Sequence, residues 1–134
     1  MKSRETLIRL RRFQVDEKRR RVAQIEMMMA DFERMACDLD REIAAEEKKT
    51  GISDPNHFAY PTYARAAAQR RDNLRRSAQE LNGQLDDAKA TLGEAFEELK
   101  KVEMLEDRDR SAERAMEAAA ISDAAQGRVA RASY

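Results

Sequence analysis

The chain has 134 residues, enough for one domain, and its 26 basic and 26 acidic side chains cancel. Hydrophobic residues make up 42% of it, but 23 of those 56 are alanine, which favours helix and buries little area. These figures argue against a broad globular core and against a general attraction to nucleic acid or membrane, and the lone Cys37 rules out an internal disulfide.

The first element is helical. "MKSRETLIRLRRF" has the arginine content of an organellar leader, but Glu5, Asp16 and Glu17 and the continuation of its apolar period into the chain mark it as structure. From Val22, steps of three and four reach Ile25, Met29, Phe32, Ala36, Leu39 and Ile43, all apolar. This is an a/d heptad seam. Extended backward, the frame keeps Ile8 and Val15 at a but places Arg11 and Lys18 at d. The pattern predicts a first helix over about 3–48.

Residues 49–61 then read as a turn. "GISDPNHFAYP" holds both prolines and the only histidine. Gly51 suits a left-handed helix cap, Asp54-Pro55 the start of a short helical turn, and Pro61 the first position of a second helix. Phe58, Tyr60 and Tyr63 exceed what a plain loop needs. They either pack back over the seam or anchor a partner, and both hold if the residues divide the roles.

The second helix is predicted over about 62–120. Leu74, Ala78, Leu81, Leu85, Ala88, Leu92, Ala95, Leu99 and Val102 alternate four and three, with Ala67 and Arg71 extending the frame backward. Asn82-Gly83 would ordinarily mark a turn. The heptad phase passes through Gly83 and Gly93 unbroken, so one helix is expected, each glycine costing about 1 kcal/mol against alanine. The alanine-rich stretch that follows carries a candidate cap at Gly127, and 121–134 is expected to fray.

Charge supplies an independent argument for antiparallel folding. Residues 1–21 carry a net +6 and residues 91–111 a net −3; residues 31–48 carry −4 and residues 65–80 carry +3. A fold at 51–61 sets each positive block against a negative one, and a parallel dimer would not. Arg11 and Lys18 are expected to reach Glu94, Glu103 or Glu106. The fold class is therefore all-α: a long antiparallel two-helix coiled coil, one domain over 1–134.

Nothing here points to an enzyme. One histidine, one cysteine and no glycine-rich phosphate loop leave little for nucleophilic, metal or nucleotide chemistry, and no cofactor is implied. His57 reads as a solvated or capping loop residue and Cys37 as a surface thiol at a b position. "RLRR" at 9–12 and "EKRRR" at 17–21 either complement the acidic part of the second helix or meet a partner, and nucleic acid is disfavoured by the zero net charge and sparse aromatics. Met28, Met29, Phe32 and Met35 lie on one broad helical face that reads first as seam and flank packing, although a two-helix hairpin cannot cover all of so wide a stripe. That leaves Met28 and Met35 as adaptable partner surface, or as the basis of self-association.

"MKSRETLIRLRRFQVDEKRRR", "IEMMMADFERM", "EEKKTGISDPNHFAYPTYA" and "RRDNLRRS" resemble the FliJ family of flagellar export proteins, over roughly residues 1–110. The resemblance implies an antiparallel two-helix coiled coil similar to the stalk (γ) subunit of rotary F-type ATPases. It implies a component of the bacterial flagellar type III protein export apparatus, in the cytoplasm and peripheral to the basal body. Such a protein associates with the hexameric export ATPase FliI, the export gate protein FlhA and export chaperones. It couples ATPase to gate and assists substrate delivery. The family offers no fixed binding motif, so residues are assigned from the reading above. Arg9, Arg12, Arg20 and Arg21 are the candidates for the ATPase; Phe58, Tyr60, Tyr63, Arg70 and Arg71 are the candidates for the gate or another partner. The competing readings are an export chaperone that binds flagellar substrates and a generic structural coiled-coil scaffold.

Overall fold

The computed structural model describes residues 2–132, with side chains over 3–128. It is an all-α fold of two long helices, α1 (Lys2–Thr50) and α2 (Thr62–Ala132), packed as an antiparallel hairpin. No described helix is long and apolar enough to cross a membrane.

Packing divides the chain into two units, residues 1–15 with 94–134, and residues 16–93. In the 16–93 unit the expected seam is the observed one. Val22, Ile25, Ala36, Ile43, Ala64, Ala67 and Leu81 are buried, and Met29, Phe32, Leu39, Leu74, Leu85 and Leu92 are half-buried. Alanine stands at three of these places, Ala36, Ala64 and Ala67. Ile25, 1% exposed, is the one large side chain among the described residues that is fully buried.

In the 1–15/94–134 unit the seam is thinner. Val15 and Val102 are buried, but the frame then runs into Glu106, itself 9% exposed. Arg4 reaches Glu106 at 3.9 Å and bonds to Asp109, so the last seam layers are ionic rather than apolar. Arg11 occupies its d position half-buried, with its Nε buried and unpaired. It reaches Glu98 at 4.0 Å and donates to Gln14 Oε1 at 3.1 Å, and so does not take the Glu94, Glu103 or Glu106 partner expected for it. Glu103 pairs with Arg12 instead, at 3.9 Å.

The turn is built mostly as its residues dictate. The Gly51 N–H donates to the Glu47 carbonyl at 2.8 Å, and its φ of 76° is a left-handed cap. Pro61 lies one place earlier than expected. Its carbonyl accepts the Arg65 N–H at 3.1 Å, which makes it the N-cap, and Thr62 is the first helical residue. A proline there loses nothing, because an N-cap contributes its carbonyl to the helix.

α2 continues through Gly127 to Ala132, past the expected end near residue 120. All side chains from Ser111 to Arg128 are exposed. Alanine explains the extension, because a run so rich in the strongest helix former sustains backbone hydrogen bonding without tertiary contacts.

Candidate partner-binding surfaces

The loop between the helices is pinned at several points. Asp54 Oδ1 accepts the Asn56 N–H at 2.9 Å, and its carbonyl accepts the His57 N–H at 3.0 Å. His57 Nδ1 then accepts the Ala59 N–H at 3.0 Å, and the His57 carbonyl accepts the Tyr60 N–H at 3.0 Å. His57 is thus the capping loop residue that the sequence suggested. Arg65 donates to the Pro55 carbonyl at 3.2 Å and lies over the Tyr60 ring at 5.8 Å. Two consecutive turns are fixed by short local bonds, so the loop is ordered before any partner arrives.

The three aromatics divide their roles. Tyr60, 6% exposed, is buried with Ile43, Ala64 and Ala67, and its hydroxyl donates to Glu47 at 2.8 Å. That bond, which is lost when the phenol ionises, pushes the Tyr60 pKa up. Tyr63 is 55% exposed, and its hydroxyl donates to Glu42 at 2.8 Å, with the same upward effect. Phe58 is 95% exposed, and the His57 ring stacks on it with centroids 4.8 Å apart. Of the candidate tip residues, then, Tyr60 is a brace inside the fold and Phe58 is the free apolar group.

Arg70 and Arg71 also part company. Arg71 donates to Asp40 at 2.9 Å and to Asp72 at 3.1 Å, so it is committed to the hairpin. Arg75 joins it, donating to Asp40 at 2.6 Å and lying 3.5 Å from Glu33. Hydrogen bonds from Arg71 and then Arg75 hold the Asp40 carboxyl below the usual carboxylate range. The same bonds raise both guanidinium pKa values. These pairs realise the expected match of residues 31–48 with residues 65–80. Arg70 is exposed and borders a groove with Met35, Glu42 and Tyr63.

The four arginines proposed for the ATPase fall in both packing units. Arg9 and Arg12 are exposed in the 1–15/94–134 unit, where Arg12 is partly satisfied by Glu103. Arg20 and Arg21 are exposed in the 16–93 unit, and Arg21 donates to Gln24 at 3.4 Å. Lys18 lines a groove of about 500 Å³ with Glu17, Arg21, Asp87 and Thr91. Cys37 is half-buried, its thiol 3.7 Å from Glu33 Oε1.

Periodicity did not single out Leu7, Leu10, Phe13, Met104 and Leu105, which are 37–57% exposed in the thin-seamed unit. Their signal was available: each is apolar outside the a/d frame.

No protein-family model matches the chain, and no curated protein or solved structure matches it.

Proposed function

We propose that this chain is a non-enzymatic coiled-coil component of a flagellar type III export apparatus, linking the export ATPase FliI to the gate protein FlhA and assisting chaperone and substrate delivery. The motifs over residues 1–110 and the antiparallel hairpin support this reading. The observation that carries it is Phe58. A fully displayed phenylalanine on a loop pinned by its own hydrogen bonds is a preorganised anchor for a protein pocket. Phe58, Tyr63 and Arg70 form the gate-directed set, with Tyr60 and Arg71 holding the loop and helix that present them. Arg9, Arg12, Arg20 and Arg21 form the ATPase-directed set.

Purified export ATPase assayed with and without this protein tests the reading, with pulldowns against ATPase and gate. Stimulation is expected. Changing Arg9, Arg12, Arg20 and Arg21 to Glu should abolish ATPase binding and spare the gate. Phe58→Ala should do the reverse while altering thermal stability by less than about 0.5 kcal/mol, as for other exposed surface sites. No stimulation and no binding to either partner would sink the proposal.

A further inference from the structure

The two flanks of the hairpin within residues 16–93 are not alike. Each seam residue has an e position on one side and a g position on the other, and antiparallel pairing sets e against e and g against g. The e flank is closed by charge: Asp40 and Glu33 on α1 meet Arg75 on α2, with Arg71 joining from the seam. The g flank is different. There Tyr63 reaches Glu42, which fixes the pairing. Stepping one heptad at a time sets Met35 level with Arg70 and Met28 level with Ser77. A short serine cannot cover a methionine. Met28 remains 42% exposed and Met35 38% exposed. A groove of about 250 Å³ opens beside Met35, floored by Leu39 and Leu74.

We propose that this g flank is a docking groove for a third helix, contributed by a protein partner that presents an apolar stripe bordered by basic side chains. A helix laid along the flank would bury the methionines and complete a three-helix core over this stretch. Methionine suits the task, because its unbranched, polarisable chain adapts to the knobs it receives. Charge selects the partner. Along the level stretches 21–42 and 63–84, the g positions and the c positions beside them carry four carboxylates, Asp31, Asp38, Glu42 and Glu80, and two cations, Arg21 and Arg70. A second copy docking this flank on its own equivalent would oppose like charges. A basic amphipathic helix would oppose unlike ones. Asp31 and Asp38 are also bonded to Arg34 and Arg41 on the outer face, whereas Glu80 has no ion pair among the described residues. This surface lies on the helices rather than on the loop, and the proposal does not depend on the flagellar reading.

Three fluorescent peptides of about 21 residues, long enough for about six helical turns, supply the test. One carries a leucine stripe flanked by lysines, and one the same stripe flanked by glutamates. The third has the composition of the first, scrambled to remove the stripe. The full chain should bind the first at least about tenfold more tightly than either of the others, a difference of about 1.4 kcal/mol. Met28→Ser with Met35→Ser should remove most of that binding with helicity unchanged by circular dichroism. Asp38→Asn with Glu80→Gln should narrow the preference for lysine over glutamate. Lys89→Gln, on the e flank, should change nothing. Equal binding of the scrambled peptide would reduce the effect to charge alone, equal binding of the acidic peptide would reduce it to stickiness, and either overturns the proposal. So does a serine pair that binds normally. A dimer of the chain that dissociates in the serine pair would assign the flank to a second copy.

Discussion

Glycine-to-alanine changes at 83 and 93 test whether α2 is one uninterrupted helix. Both glycines lie within the 16–93 unit, and a Cβ built at either meets nothing within 4 Å. Alanine therefore adds no contact and relieves no clash, and the expected effect is propensity alone, about 1 kcal/mol at each site. The sites are ten residues, roughly 15 Å, apart along the helix, so the gains should add to about 2 kcal/mol. With an unfolding entropy of about 2.1 cal/mol/K per residue over about 130 residues, 1 kcal/mol moves Tm by about 3.5 °C, and the double variant should melt about 7 °C higher. Gly51 is the internal control with the opposite sign. Its φ of 76° costs an L-residue about 1–2 kcal/mol, so Gly51→Ala should melt about 3.5–7 °C lower although it too meets no atom. Thermal melts followed by circular dichroism at 222 nm read all three. A Gly83→Ala chain with unchanged or lowered Tm would mean that Asn82-Gly83 is a turn or hinge, and the continuous second helix would be wrong.

Two further outcomes follow from the packing. Ile25→Ala, at a large and fully buried side chain, should cost about 2–5 kcal/mol, whereas Leu10→Ala, at 48% exposure, should cost less than about 1 kcal/mol; comparable losses would mean that the seam is misplaced. Asp40→Asn should lower stability at neutral pH by at most about 1 kcal/mol per arginine released, because the Asp40 side chain is 39% exposed. The Asp40 pKa is depressed in the fold, so its contribution is present above the ordinary aspartate value of about 3.9 and is lost as pH falls through the lower folded value. The gap between wild type and Asp40→Asn should therefore narrow as pH falls below about 3.9, and a gap that does not narrow in acid would remove the ion pair as its cause.

Heptad arithmetic recovers the seam because a two-helix fold has only one place to put apolar side chains. Ile25, Ala36, Leu81 and Val102 are buried or nearly so for the reason that they recur every three and four residues. Charge blocks recover orientation and the pairing of 31–48 with 65–80, since Asp40 with Arg71 and Arg75 is a local expression of the block pattern. The pattern does not reach individual partners. Arg11 was offered three carboxylates and takes a fourth, Glu98, because a seven-atom side chain samples more than one turn of the facing helix and sequence does not rank the choices. The helix also runs past the bound near residue 120 that the heptad suggests, because alanine sustains a helix without a seam. Nor could composition divide the aromatics. Tyr60 and Phe58 differ by two residues in the chain and by 6% against 95% in exposure, and the turn between them makes that difference.

Exposure, rather than charge, sets the order in which these surfaces should be used. The arginines at 9, 12, 20 and 21 can trade solvent for a partner's carboxylate at little cost, but an exposed ion pair returns less than about 1 kcal/mol, so such contacts steer more than they hold. Phe58 and the Met28–Met35 flank each have apolar area to remove from water, at about 25 cal/mol per Å². The loop presents Phe58 already fixed, whereas the flank must receive an ordered helix, and a disordered partner segment gives up ordering entropy on arrival. The loop should therefore form the faster and more specific contact and the flank the more adaptable one. If both surfaces are used as proposed, one chain would hold two different proteins at once. That arrangement fits a coupling element better than a spacer, which needs neither a displayed phenylalanine nor a methionine pair left uncovered.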